Sequence, residues 1–369
     1  VPSVMVLEAT LNNQAAHNSS PTYTTIPTPF FCVNKPANFN PGTVDANGDV
    51  LTYQLVDGME ATGGTVNYNP GFSATNPLAA ATGTFNFNTT TGQMAFTPNQ
   101  VQRALVVYKV SEFRGGVLVG TSMREMTYVV LATCNNGAPI ASVINVNGAV
   151  PSGQFAIATC PRTGVVSFNL NPTDPDGDNI NLAVSGLPAG ANFTINNNNT
   201  TNPTGAFSWN LTGVAPGTYN FFVTYTDNGC PLASKQTQAY TITIHPLPTI
   251  AYNQISPAEC NRKEVFTITS GVTSAPWTVT ILQGTTTIKT IPSPTATITD
   301  SLSPGTYTIR TTNNNGCSKD TIITVANPST MVVQANVKRP TCNNFANGVI
   351  TMSATNSVQP FTFAIGTGV

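Results

Sequence analysis

Apolar and polar residues alternate in twos along much of this chain. Leu51, Tyr53 and Leu55 are separated by Thr52 and Gln54. Ile180, Leu182 and Val184 follow the same rule, as do Phe207-Ser-Trp209 and Tyr240-Thr-Ile-Thr-Ile244. A period of two puts every second side chain on one face, so each run predicts a strand with one buried side. Pro-Gly and Asn-Gly pairs fall between the runs and predict turns. No helix of more than two turns is expected; Pro98-Asn-Gln-Val-Gln-Arg-Ala104 could form a single turn. The longest apolar runs are a few residues, far short of the ~20 that cross a bilayer, so no membrane span is expected in this segment.

Two patterns recur. Asp45-Ala-Asn-Gly-Asp-Val-Leu-Thr-Tyr-Gln-Leu55 returns 129 positions later as Asp174-Pro-Asp-Gly-Asp-Asn-Ile-Asn-Leu-Ala-Val184. Pro216-Gly-Thr-Tyr219, closed by Asp227-Asn-Gly-Cys230, returns as Pro304-Gly-Thr-Tyr307, closed by Asn314-Asn-Gly-Cys317. Repeats at a domain-sized period predict an all-β tandem array of sandwiches. The expected divisions are 1–18, the end of a preceding β domain plus a linker; 19–136; 137–247; 248–327; and 328–369, the start of an incomplete domain. The opening residues carry no charged signal-peptide region, and the chain closes on the alternating Phe361-Thr-Phe-Ala-Ile365. Both ends are expected to continue into a longer polypeptide.

Composition narrows the partners. Only 8% of residues are charged, 14 basic against 15 acidic, whereas soluble domains average about 25%. With no basic excess, nucleic acid is not an expected partner. The chain holds 58 Thr and 41 Asn, and its 40% hydrophobic content with 18 Phe and 10 Tyr is enough to build cores. Thr suits exposed strand faces, being β-branched and polar.

Seven cysteines carry no Cys-x-x-Cys pair and no nearby His, which argues against a thiolate metal site. Domain parsing favours sequential bridges, Cys32–Cys134, Cys160–Cys230 and Cys260–Cys317, among the 15 connectivities six cysteines allow. Cys342 is left over, with a partner expected past residue 369. Such bridges imply an oxidising, extracellular location.

The acidic turns are the candidate cation sites. Asp174, Asp176 and Asp178 sit at alternate positions around Gly177, a spacing that can converge carboxylates on calcium. Asp45, Asn47 and Asp49 form the matching set, and the strand alignment sets Glu112 against Asp227 as a fourth ligand for each. The competing reading is a pair of Asx-turns with no ion. Catalysis is not expected. His17 and His245 lack the context of a positioned base, and the six Glu are scattered. Trp209 and Trp277 could stack on sugars, but their alternating strands favour core positions.

Val110-Ser-Glu-Phe-Arg-Gly-Gly-Val-Leu-Val-Gly-Thr-Ser-Met-Arg-Glu-Met126 resembles a pattern common in large secreted surface proteins of Bacteroidetes. Leu187-Pro-Ala-Gly190, Gly205-Ala-Phe-Ser-Trp209 and Thr226-Asp-Asn-Gly-Cys230 resemble cadherin-like or Ig-like modules. Cys342-Asn-Asn-Phe-Ala-Asn-Gly-Val-Ile-Thr-Met352 with Gln359-Pro-Phe-Thr-Phe-Ala-Ile365 resembles the start of an SprB repeat. The resemblance implies an extracellular, cell-surface adhesin of gliding motility, exported by the type IX secretion machinery. Its partners would be surface polysaccharide or a solid substrate, together with neighbouring repeats of its own chain. Asp300-Ser-Leu302 and Asp320-Thr-Ile322 match that phylum's O-glycosylation pattern, which would place glycans on Ser301 and Thr321. Two rival roles are an extracellular filament or sheath subunit, and the non-catalytic repeats of a polysaccharide-degrading enzyme.

Overall fold

The computed structural model describes residues 5–12, 17–26, 29–61, 63–132, 134–259, 262–271, 277–293, 296–328, 330–355, 361–364 and 366. All of their regular elements are strands. The chain divides into two compact units, Val1–His245 and Pro246–Val369.

The first unit holds two β-sandwiches. In the first, the hairpin Gln102–Arg114 and Val117–Leu131 turns on Gly115 and Gly116, whose φ angles of +58° and +82° suit a tight hairpin turn. Val50–Leu55 flanks the hairpin on one side and Ala9–Leu11 on the other, while Phe30–Cys32 runs parallel to the end of Val117–Leu131. A smaller sheet of Ala37–Phe39, Met94–Phe96 and Asn86–Phe87 faces it. Aromatic rings fill the space between. Phe31 meets Phe96 at 4.9 Å between centroids, and Phe39 meets Tyr128 at 5.3 Å.

Two sequence expectations fail here. Within 1–18, expected to end a preceding domain, the described strands pair inside the first sandwich instead: Ala9–Leu11 with Gly120–Ser122 and Met5–Val6 with Met59–Glu60. The long Val117–Leu131 strand would otherwise offer open hydrogen-bonding groups along that edge. Nor does the 98–104 stretch form a helical turn: Gln102 already pairs with Val130, and its amide brackets Ala79 on both the N–H and the carbonyl.

In the second sandwich a four-stranded sheet (Val143–Asn147, Val165–Leu170, Thr204–Asn210, Ala191–Asn196) packs on a five-stranded one. The latter runs Val150–Gly153, Ala156–Thr159, Lys235–Ile244, Gly217–Asp227, Ile180–Ser185. Phe168, Phe207 and Phe221 stack between them. Tyr225 and Tyr240 bury their hydroxyls in the same core. Tyr240 donates to the Ala141 carbonyl at 2.7 Å, so Tyr225 donates to Tyr240, at 2.6 Å.

The two sandwiches are not separate beads. Ala156–Thr159 covers only Thr241–Ile244 of the Lys235–Ile244 strand, leaving residues 235–240 with an open edge. The first sandwich closes it with side-chain amides. Gln93 accepts from the Ala239 N–H at 2.9 Å and donates to the Thr237 carbonyl at 3.2 Å, standing in for a neighbouring peptide. Gln236 accepts from the Asn38 N–H at 2.7 Å. Gln236, Thr237 and Gln238 are consequently buried.

Cys32 and Cys134 form a disulfide, with Cα atoms 5.5 Å apart. Cys160 and Cys317 are each engaged in a disulfide as well. The expected Cys160–Cys230 bridge is absent, since Cys230 is a free, exposed thiol. Cys160 follows Thr159, which pairs with Ile244, whereas Cys230 lies in the turn before Lys235. The intervening strand puts roughly 30 Å between them at ~3.3 Å per residue. Cys260, the expected partner of Cys317, lies outside the described residues. Cys342 is free and exposed.

The second unit contains a third sandwich. Ile250–Ser256, Glu264–Ser270 and Thr297–Leu302 face Thr286–Ser293, Trp277–Gln283, Gly305–Thr312 and Ser318–Val325 around a core that includes Phe266, Trp277 and Ile281. Thr pairs with Thr across neighbouring strands at 267/299, 269/297, 278/312 and 306/324. The hairpin Val332–Lys338 and Val349–Thr355 completes the unit.

Buried phenols give a pH prediction. Burial pushes Tyr53 up to about 12 and Tyr108, Tyr128 and Tyr225 well above the ordinary 10.0. Above pH ~10 the folded chain therefore holds protons that the unfolded chain releases. The stability these groups contribute is intact below that pH and is lost as pH rises through their folded values. Most of the tyrosinate absorbance should appear in one step, well above pH ~10, as strand circular dichroism collapses. Ionisation of all ten tyrosines in a still-folded chain would contradict this.

Candidate functional site

The two acidic turns occupy equivalent places in the first and second sandwiches. Asp45 Oδ1 accepts from the backbone N–H of Asn47 and Asp49 at 2.9 and 2.8 Å. Asp174 Oδ1 accepts from those of Asp176 and Asp178 at 2.8 and 3.1 Å. Gly48 and Gly177 take φ of +76° and +81°, where a side chain would be strained. In the next strand Leu51 pairs with Glu112 and Ile180 with Asp227, so these two carboxylates hold the same position.

Their surroundings differ. In the first sandwich Asp45, Asp49 and Glu112 bring carboxylate oxygens within 4.8 Å of one another, the one such three-carboxylate group among the described residues. Arg114 clamps Asp49 through Nε and Nη2 at 2.6 and 2.7 Å. Asn18 donates to Glu112 at 2.5 Å and accepts from Arg114 at 3.2 Å. Asn47 turns away to accept from the Ser19 N–H. Burial raises the Glu112 carboxyl above the usual range; the Asn18 bond opposes this, while the charges of Asp45 and Asp49 add to it.

In the second sandwich the polar groups come from three chain segments: the acidic turn, Asp227 and Asn136. Asp227 is 4% exposed. Its Oδ1 accepts from Ser234 N–H at 2.7 Å, Asn136 Nδ2 at 2.8 Å and Gly229 N–H at 3.1 Å. Its Oδ2 has no donor. Asn136, 5% exposed, also donates to the Leu232 carbonyl, and its Oδ1 has no donor. Asp174 Oδ2 is in the same condition. Asp176 reaches back to the Gly137 N–H at 2.5 Å. Burial raises the Asp227 carboxyl; the Ser234, Asn136 and Gly229 bonds work against that, and the Asp174 charge reinforces it. Neither Asn18 nor Asn136 stood out in the sequence, for each reaches its carboxylate from outside the acidic turn.

The other singled-out residues have structural partners. Trp209 is buried and donates to the Ala189 carbonyl at 3.0 Å, and Trp277 lies in the third core. His245 contributes its backbone N–H to Thr159, and His17 its carbonyl to Arg114. Ser301 and Thr321 are half-buried on the edge strands Thr297–Leu302 and Ser318–Val325. The neighbouring Asp300 pairs with Lys289 at 2.8 Å. Asp320 is held below its ordinary range by the Arg310 guanidinium, also at 2.8 Å.

Residues 148–245 match a family model described as a putative Ig domain. No curated protein matches the chain. Among solved structures, the I67–I69 fragment of the titin I-band is 10% identical, covering 84% of this chain and 98% of that one at a TM-score of 0.29. The mouse nectin-like molecule 4 ectodomain is 13% identical, covering 83% and 100% at 0.25. An endo-fucoidan hydrolase of glycoside hydrolase family 107 is 15% identical, covering 84% of this chain and 44% of that one at 0.21. Scores of this size carry no functional inference. The chain is a tandem of β-sandwiches, of which the second matches the Ig-like model, and its disulfides fit an extracellular protein. Among the described residues no helix is long and apolar enough to cross a membrane.

Proposed function

We propose that this chain is a segment of a long cell-surface adhesin that acts as a stalk for surface attachment and gliding motility, exported by type IX secretion, and that it is not itself an enzyme. The observation that carries this reading is the character of the strand faces. Threonine pairs recur across the third sandwich, and the second adds Thr218/Thr243. Such a surface hydrogen-bonds without long-range charge steering. Individually weak contacts to polysaccharide or a solid substrate would then gain strength by repetition along the chain. Sandwiches resist extension because their strands must be sheared apart, which suits a load-bearing element. Glycans on Ser301 and Thr321 would add bulk and protease resistance to these edge strands.

Deleting the gene for the whole polypeptide is expected to abolish attachment to polysaccharide-coated surfaces and gliding across them. A deletion strain that attaches and moves like its parent would overturn the reading. Regular helical polymers of the purified chain would favour a filament subunit instead.

A further inference from the structure

We propose that Asn136, Asp174 and Asp227 form a binding site for a single divalent cation of the calcium type in the second sandwich. Three buried acceptor oxygens there lack a donor: Asn136 Oδ1, Asp174 Oδ2 and Asp227 Oδ2; Asn136 is hydrogen-bonded to Asp227, and the Asp174 charge acts on the same carboxylate. A buried oxygen without a partner is costly, and three from separate chain segments share one remedy, a cation. The orientation of the Asn136 amide is fixed by chemistry. Its Nδ2 donates to the Asp227 carboxylate and the Leu232 carbonyl, both acceptors, so the oxygen must face the other way. Gly137 holds Asp176 beside it, and a side chain at Gly229 would strike the Asn136 amide at 2.3 Å. The donor set is carboxylate and amide oxygen only, which suits a hard cation with flexible coordination; the remaining positions would go to water or backbone carbonyls.

The first sandwich explains the choice. There Arg114 is ion-paired with Asp49 and its charge also acts on Glu112, although Asp45 Oδ2 is buried without a donor as Asp174 Oδ2 is. In the second sandwich Gly229 stands two residues after Asp227 where Arg114 stands two after Glu112, and supplies no charge. Asn136 lies two residues past Cys134, so the ion would tie the connection between the sandwiches to the acidic turn and to the end of Gly217–Asp227. This goes beyond the adhesive reading, because cation binding can be present or absent whatever the chain attaches to.

The test is calorimetric titration of the chelator-stripped 369-residue chain with calcium chloride, together with thermal melting. One ion per chain is expected, with melting raised by about 5–10 °C at ~100-fold excess over the dissociation constant. Asp174→Asn keeps the turn-forming Oδ1 and removes a charge, and should weaken binding about tenfold or more. Asp45→Asn should leave affinity unchanged. No heat and no shift with the unaltered chain would overturn the proposal. So would full affinity in Asp174→Asn, loss of binding in Asp45→Asn, or equal affinity for magnesium.

Discussion

Replacing Cys32 and Cys134 with serine is expected to lengthen the chain's extension under load by roughly 350 Å, at ~3.3–3.6 Å for each residue released. The two cysteines are 102 positions apart. The bridge joins the end of Phe30–Cys32 to the segment just after Val117–Leu131, so nearly the whole first sandwich lies inside one covalent loop. Tension entering at residue 32 passes to 134 through sulfur and bypasses the enclosed strands. In equilibrium terms, closing a loop of about 100 residues stabilises the folded state by ~4–5 kcal/mol on the chain-entropy model. The paired substitution isolates this bridge, whereas reductant would also open those of Cys160 and Cys317. Single-molecule pulling reads the extension and denaturant unfolding reads the stability. An unchanged contour length in the double variant would show that the bridge does not shield the sandwich.

How much of this was legible beforehand depended on whether the determinant is local. Alternation at Leu51, Tyr53, Leu55 and at Ile180, Leu182, Val184 was readable because a half-buried strand writes its burial into every second residue. Tyr53, Leu55, Ile180 and Leu182 are buried. The acidic turns were readable for a similar reason, since an Asx-turn is decided within five residues. Pairing across the fold was not. Cys160 and Cys230 are plausible partners by count and domain, yet they sit at opposite ends of one strand, a matter of register that alternation does not encode. Asn136 and Asn18 are single polar residues in connecting segments, with no periodicity to mark them. The Ala9–Leu11 strand belongs to the first sandwich because a long neighbouring edge needs covering, which is a property of the sheet and not of those three residues.

The amide-built junction between the first two sandwiches gives the other large expected effect. Gln93→Leu keeps approximate volume and removes every hydrogen bond the side chain makes. The Ala239 N–H and the Thr237 carbonyl then lose their partners on a buried strand edge, and Asn40 loses its contact at 3.3 Å. At ~1–3 kcal/mol for each unsatisfied buried group, the loss should total about 3–5 kcal/mol. Its form is more informative than its size. If Gln93 couples the sandwiches, the unaltered first unit melts as one calorimetric transition and the variant as two, with the second sandwich losing protection against hydrogen exchange along residues 236–240 first. Gln236→Ala, which strips the Asn38 N–H of its acceptor, attacks the same junction from the other side. A double-mutant cycle should show the two changes to be less than additive, because either one alone opens the edge. Strict additivity, or a single unshifted transition in Gln93→Leu, would mean that the sandwiches touch without sharing stability, and a stalk built from them would bend at this joint instead of transmitting load as a paired rod.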